Sequence, residues 1–193
     1  QRIIPIFVDC EEGYYGESPC CKMEKGLDAI FERFGNDYGW FVYQDDDTYF
    51  RRDYVSRYAD GINPYTTEVV LASGRGGYIN SLGISGFYSG GYKCQGTIEY
   101  MYPWGQPVIY SHKALQASQR GMKLGGITKQ CLEYDVTHDV RNSIFHWMYQ
   151  ISYMSLNWPL NTDQMNSMSF GAHAVSRDEM KIFSEVQVQR RTR

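Results

Sequence analysis

Nowhere does this chain carry an apolar run of the roughly 20 residues that cross a bilayer as a helix, and no signal-peptide pattern opens it. Positive charge is scarce as well. The 19 Lys and Arg stand against 22 Asp and Glu, a formal charge of −3, which excludes a nucleic-acid binder working by phosphate attraction. The five cysteines, Cys10, Cys20, Cys21, Cys94 and Cys131, form no CxxC pair and have no histidines at zinc-ligand spacing. That argues against a zinc site and for disulfides made in an oxidising compartment. Their odd number leaves one thiol free or joined to another chain, and spacing alone assigns no pair. Long linkers, repeats and low-complexity segments are absent too. Residues 1–180 therefore read as one domain, with a polar, basic, flexible tail over 181–193 that ends in VQVQRRTR.

What is present is an apolar fraction of 42% and a high aromatic content, with 17 Tyr and 4 Trp, enough for a real core and suited to gripping an amphipathic partner such as a sugar. The chain opens on QRIIPIFVDC. IIPIFV has the composition of a short buried strand, and the opening reads as a lumenal piece whose targeting segment lies elsewhere. A polar loop, EEGYYGESP, leads to Cys20 and Cys21. KMEKGLDAIFERFG then sets Met23, Leu27, Ile30, Phe31 and Phe34 at helical spacing, with Gly35 where a helix would stop. WFVY follows as a strand. Strand, helix, strand with short connections predicts an α/β fold with parallel strands, and such sheets bind ligands beyond the carboxyl ends of their strands.

Asp45, Asp46 and Asp47 stand two residues past that second strand. Three adjacent carboxylates repel one another, and aspartate is poor in strands, so they face either a solvated loop or a hard divalent cation that removes the repulsion. On an extended segment Asp45 and Asp47 point to one side and Asp46 to the other. The paired carboxylates with open positions beside them suit a cation carrying a nucleotide diphosphate.

The stretch CKMEKGLDAIFERFGNDYGWFVYQDDDTYF resembles the signature of the Fringe and core-1 galactosyltransferase group of β1,3-glycosyltransferases. Weaker similarities follow in the same order: VVLASG, YPWGQPVIYSHKAL, EYDVTHDV and FGAHAV, so that the resemblance runs from about Cys21 to about His173. It implies a GT-A fold with a mostly parallel central sheet, and transfer of a sugar from a UDP-sugar to a hydroxyl of a glycoprotein or glycan acceptor with inversion at the anomeric carbon. It also implies a Mn²⁺ site of Asp45 and Asp47 with His173 as a distant third ligand, Asp46 and Gly105 near the donor, and Asp135 as the base. The localisation implied is the lumen of the Golgi or another secretory compartment, with membrane attachment only through a segment outside this chain.

Each of these positions has a plainer reading beside it. His173 is otherwise a loop histidine, and Asp135 a first-turn carboxylate of a helix read from VRNSIFHWMYQI; Glu133 and Asp139 rank second and third as the base. Pro103-Trp104-Gly105-Gln106-Pro107 keeps only one glycine where many members of the family have several, which bears on donor choice. The family's first nucleotide-binding strand is short or missing before Ile3. GRGG at 74–77 and SGG at 89–91 read as turns and acceptor-side loops, because neither carries a P-loop lysine; Lys22 and Lys93 are solvated lysines or phosphate contacts. Two other functions compete. One is a catalytically silent relative acting as a glycan-binding or chaperone module, which the altered Gly-rich segment favours. The other is a metal-dependent phosphoryl or nucleotidyl hydrolase, disfavoured by the lack of a second acidic cluster.

Overall fold

The computed structural model describes residues 4–13, 17–44, 48–73, 78–80, 83–85, 107–124, 126–128, 146, 151–156 and 171–172. In chain order the elements are α1 (Glu17–Phe34), β1 (Trp40–Tyr43), β2 (Tyr49–Phe50), α2 (Arg52–Ala59), β3 (Val70–Ser73), β4 (Tyr78–Asn80), β5 (Gly83–Ser85), β6 (Val108–Ser111), α3 (His112–Lys123), β7 (Tyr153–Leu156) and β8 (Gly171–Ala172).

The apolar spacing of α1 does what a 3.6-residue period requires: Met23 and Leu27 are buried, and Ile30, Phe31 and Phe34 pack beside them against one core. Gly35 ends the helix. Its N–H donates to the Phe31 carbonyl at 2.8 Å, and a Cβ at this position would stand 2.5 Å from that same oxygen, so a larger residue would displace the turn. Gly39 has a similar role before β1, where a Cβ would meet the Pro64 ring at 2.5 Å.

The strand expected over IIPIFV is not formed. Residues 4–10 carry no strand pairing, and Phe7 is 92% exposed. Pro5 lacks the N–H a ladder needs. The segment is strapped to α1 instead, by the Cys10–Cys21 disulfide (Cα–Cα 5.9 Å), by Ser18 Oγ donating to the Glu11 carbonyl at 2.6 Å and by Lys25 Nζ donating to the Asp9 carbonyl. These ties hold the chain at the first turns of α1, which begins at Glu17, upstream of its apolar periodicity.

The main sheet has the order β1-β6-β3-β7. β6 runs antiparallel to both β1 and β3, and β3 pairs parallel with β7. Three strands therefore share one direction, and the reversed β6 sits between two of them. All four β6 residues are buried, as a central strand covered on both faces should be. Val108 and Tyr110 join Phe41, Val70 and Ala72 under α1 and α3, while Ile109 joins Val69, Leu71, Val55, Trp40 and Ile62 on the opposite face.

Ser111 fastens the layers together. Its hydroxyl accepts from Ala114 N at 3.0 Å, capping α3, and from Val69 N at 3.1 Å, while its own N–H donates to the Val69 carbonyl at 3.0 Å. The next two N–H groups find partners across the fold, His112 on the Gly39 carbonyl at 2.7 Å and Lys113 on the Pro64 carbonyl at 2.9 Å.

Candidate functional site

Strand direction decides where a site can form. Tyr43 is opposite Val108, and Ser73 is opposite Leu156, so the carboxyl ends of β1, β3 and β7 and the start of β6 lie along one end of the sheet. From this end the chain runs directly into the acidic triplet after Tyr43 and GRGG after Ser73, and it arrives through Gly105 before Val108. In open α/β sheets this is the end at which ligands bind.

A second pairing draws in a distant part of the chain. β2 and β8 are antiparallel, with Tyr49 opposite Ala172 and Phe50 opposite Gly171. In sequence, Tyr49 follows Asp47 by two residues and Ala172 immediately precedes His173. Asp45, Asp46, Asp47, Gly105, Glu133, Asp135, Asp139, His173 and Lys93, together with the 74–77 and 89–91 loops and the 181–193 tail, lie outside the described residues. So does the helix expected over 140–151, apart from His146, which is helical, and Ile151, which is not. Lys22 donates to the Gly13 carbonyl at 3.5 Å on the exposed side of α1.

The sequence reading passed over the polar groups just beyond the triplet. Thr48 and Arg51 are buried, at 3% and 9% exposure. Arg51 is the N-cap of α2, where Ser, Thr, Asp or Asn is usual, and its side chain makes no capping bond. Its guanidinium reaches Asp53 at 3.5 Å, and the other oxygen of that carboxylate, Oδ1, is buried without a hydrogen-bond partner. Burial pushes the Tyr49 hydroxyl above the usual phenol range, with Arg51 pulling it down and Asp53 pushing it up. A noncanonical cap residue beside an acidic cluster is the one signal from which Arg51 could have been picked out.

Two further polar centres are built into the core. His146 is buried against Tyr110, its Nε2 3.1 Å from the tyrosine hydroxyl and the rings edge to face at 5.3 Å; burial lowers the imidazole pKa to about 3, so it is neutral. Glu24, buried on α1, accepts from Ile127 N at 2.8 Å, from Thr128 N at 3.2 Å and from Thr128 Oγ1 at 2.5 Å. It thereby caps the helical turn 126–128 with a carboxylate from another element. Glu24 opens a groove of about 580 Å³ along α1 and the end of α3, which Asp28, Glu32 and Lys123 also line. Burial and the neighbouring Glu32 raise the Asp28 carboxyl above its usual range, against the pull of Lys123.

Among the described residues no group of three His, Cys, Asp or Glu side chains could hold a metal ion, and no helix is long and apolar enough to cross a membrane. No protein-family model matches the chain, and no curated protein matches it at a significant level.

Proposed function

We propose that this protein is a metal-dependent inverting glycosyltransferase that moves a sugar from a UDP-sugar to a hydroxyl of a glycoprotein or glycan, forming a β1,3 linkage, in the lumen of the Golgi or another secretory compartment. The reading rests on the resemblance carried by residues 21–50 and by FGAHAV at 170–175, together with one structural observation: the β2–β8 pairing joins the chain just past the acidic triplet to the chain just before His173. Cα atoms directly opposite in an antiparallel pair are about 4.5–5.5 Å apart, so two segments far apart in sequence are anchored to each other two residues after Asp47 and one residue before His173. The convergence of β1, β3, β6 and β7 at one sheet end supports the same location.

The donor set fits the metal. Two carboxylates with an imidazole suit Mn²⁺ better than Mg²⁺. When bound, Mn²⁺ supplies Lewis-acid stabilisation of the charge on the departing diphosphate. The remaining chemistry falls to the chain. Asp135 takes the proton from the acceptor hydroxyl as its oxygen forms the new bond to the anomeric carbon. The bond from that carbon to the diphosphate oxygen breaks on the opposite face, its electron pair leaves with UDP, and the configuration inverts. Gly105 leaves room for the backbone to approach the donor sugar.

UDP added to the protein in a thermal-shift assay should raise the melting temperature with Mn²⁺ and leave it unchanged without, since a ligand of the native state stabilises by mass action. Asp47→Asn should keep the melting temperature of the metal-free protein and lose the UDP response. A UDP response that needs no metal, or one that survives in Asp47→Asn, rules the reading out.

A further inference from the structure

β1 stands at the end of the sheet order, and among the described residues no strand pairs with it on the side away from β6. The register shows which backbone groups face that open side. The His112 N–H donates to the Gly39 carbonyl at 2.7 Å, whereas the Ser111 N–H turns the other way, to the Val69 carbonyl. Bonding residues alternate along an antiparallel ladder, so Gly39, Phe41 and Tyr43 bond toward β6. Trp40 and Val42, opposite Ser111 and Ile109, aim N–H and C=O outward. These groups line the edge as a template for an added strand, beside a Val42 side chain that is 37% exposed. The surroundings decide what fits. From residue 35 to residue 50 the sequence holds four aspartates, Asp37 before β1 and the triplet after it, and no lysine or arginine. Two β1 edges brought together would set acid against acid, which disfavours a second copy. The chain's own apolar segment, residues 4–10, is tied to the first turns of α1 by the Cys10–Cys21 disulfide. A polypeptide that is extended and β-branched at its centre, with lysine or arginine at its ends, complements both the edge and its charge.

We propose that the outer edge of β1 is a docking site for an extended, basic segment of a partner polypeptide, which joins the sheet as a further strand through the N–H and C=O groups of Trp40 and Val42. The segment's role rests on the glycosyltransferase reading, on which it belongs to the acceptor. The carboxyl end of β1 lies at the end of the sheet where the donor would bind, so a strand laid along β1 carries a hydroxyl side chain toward that end. The docking itself does not depend on that reading.

The probe is a fluorescent peptide with blocked ends, alternating valine and threonine between terminal lysines. Its anisotropy should rise saturably as protein is added, and the binding should weaken with salt. The same peptide with glutamates for the lysines should bind at least about tenfold more weakly. Val42→Pro removes an outward N–H and none that β6 uses, as an edge strand tolerates. It should weaken binding by about tenfold, the worth of one backbone hydrogen bond, and keep the circular dichroism of the folded protein. Methylating the amide nitrogens along one edge of the peptide makes the same test on the wild type, should that variant fail to fold. Equal binding of the lysine and glutamate peptides, or of the methylated and unmethylated ones, or no binding at all, overturns the proposal. So does a wild-type dimer in sedimentation that Val42→Pro dissociates, since a second copy would then fill the edge. Peptide binding without a Mn²⁺-dependent UDP response would keep the docking site and remove its acceptor role; a UDP response without peptide binding would overturn the docking site and leave the glycosyltransferase reading standing.

Discussion

Two helices of this protein begin in contrasting ways. α3 starts at Ser111, beside the amino end of β1, with a buried hydroxyl that satisfies two N–H groups, Ala114 in α3 and Val69 just before β3. α2 starts at Arg51, in the stretch that leaves the carboxyl end of β1 through the acidic triplet, with an arginine that caps nothing and a neighbouring Asp53 oxygen buried without a partner. The first start follows the capping rule, yet it has no acidic residue in its first turn and leaves His112 Nδ1 buried without a partner. The second breaks the capping rule and leaves a polar atom unsatisfied, each at a cost of about 1 kcal/mol or more. Departures of this kind concentrate where a protein binds or reacts. The difference between the two starts is one of capping, and on the glycosyltransferase reading the uncapped start belongs to the end that would act and the capped one to the end that holds.

The largest effect expected of this division is on the acting side. Asp135→Asn should lower sugar transfer by about two to four orders of magnitude, the usual range for a lost general base, with Mn²⁺-dependent UDP binding unchanged. Near-normal transfer would move the role to Glu133 or Asp139. On the holding side, Ser111→Ala strips the cap of α3 and leaves the Val69 N–H buried and unpaired. It should cost about 2–4 kcal/mol in denaturant melts and leave UDP affinity per folded molecule unchanged.

His146 predicts how the holding side responds to acid. Its folded pKa of about 3 lies below the ordinary histidine value of about 6.5, so between those values the unfolded chain takes up a proton that the folded chain refuses. The stability this contributes is complete above about pH 6.5 and drains away as pH falls toward 3, with a slope approaching about 1.4 kcal/mol per pH unit from this group. Stability curves of wild type and His146→Gln should converge as pH is lowered through that window; parallel curves would mean the imidazole does not titrate on unfolding.

The smallest effect sharpens the contrast most. Arg51→Ser gives α2 the cap residue it lacks, and a helix start with no other duty would gain about 1 kcal/mol. The expectation here is a net loss of stability, because the change removes a buried guanidinium from beside Asp53 and leaves a carboxylate partly buried without its cation. The exposed neighbour Arg52, changed to Ala, should shift stability by no more than about 0.5 kcal/mol.

Part of the holding side was legible in the sequence: α1 and β1 follow from apolar period and Gly35, while VVLASG and YPWGQPVIYSHKAL, where β3, β6 and α3 form, stood out only through the family resemblance. The apolar pattern is blind to strand direction, so the reversal of β6 between β1 and β3 could not be read from it. It also misled at IIPIFV, where side chain to backbone bonds and the Cys10–Cys21 link, invisible in composition, outweighed strand propensity. At the acting end the triplet announced itself by charge. Arg51, Glu24 and His146 did not, because ionisable residues are exposed far more often than buried, and their burial depends on partners from remote parts of the chain.

The central claim is that the two distant segments of the chain joined at β2 and β8 share one cation. Pulsed electron paramagnetic resonance of bound Mn²⁺ with UDP reads this directly, through the magnetic coupling of the metal to a ligating imidazole nitrogen. The account predicts nitrogen coupling in the wild type that disappears in His173→Ala while Mn²⁺ still binds, more weakly, to the carboxylates. Mn²⁺ bound with UDP and showing no imidazole coupling, or a coupling that persists in His173→Ala, would contradict it.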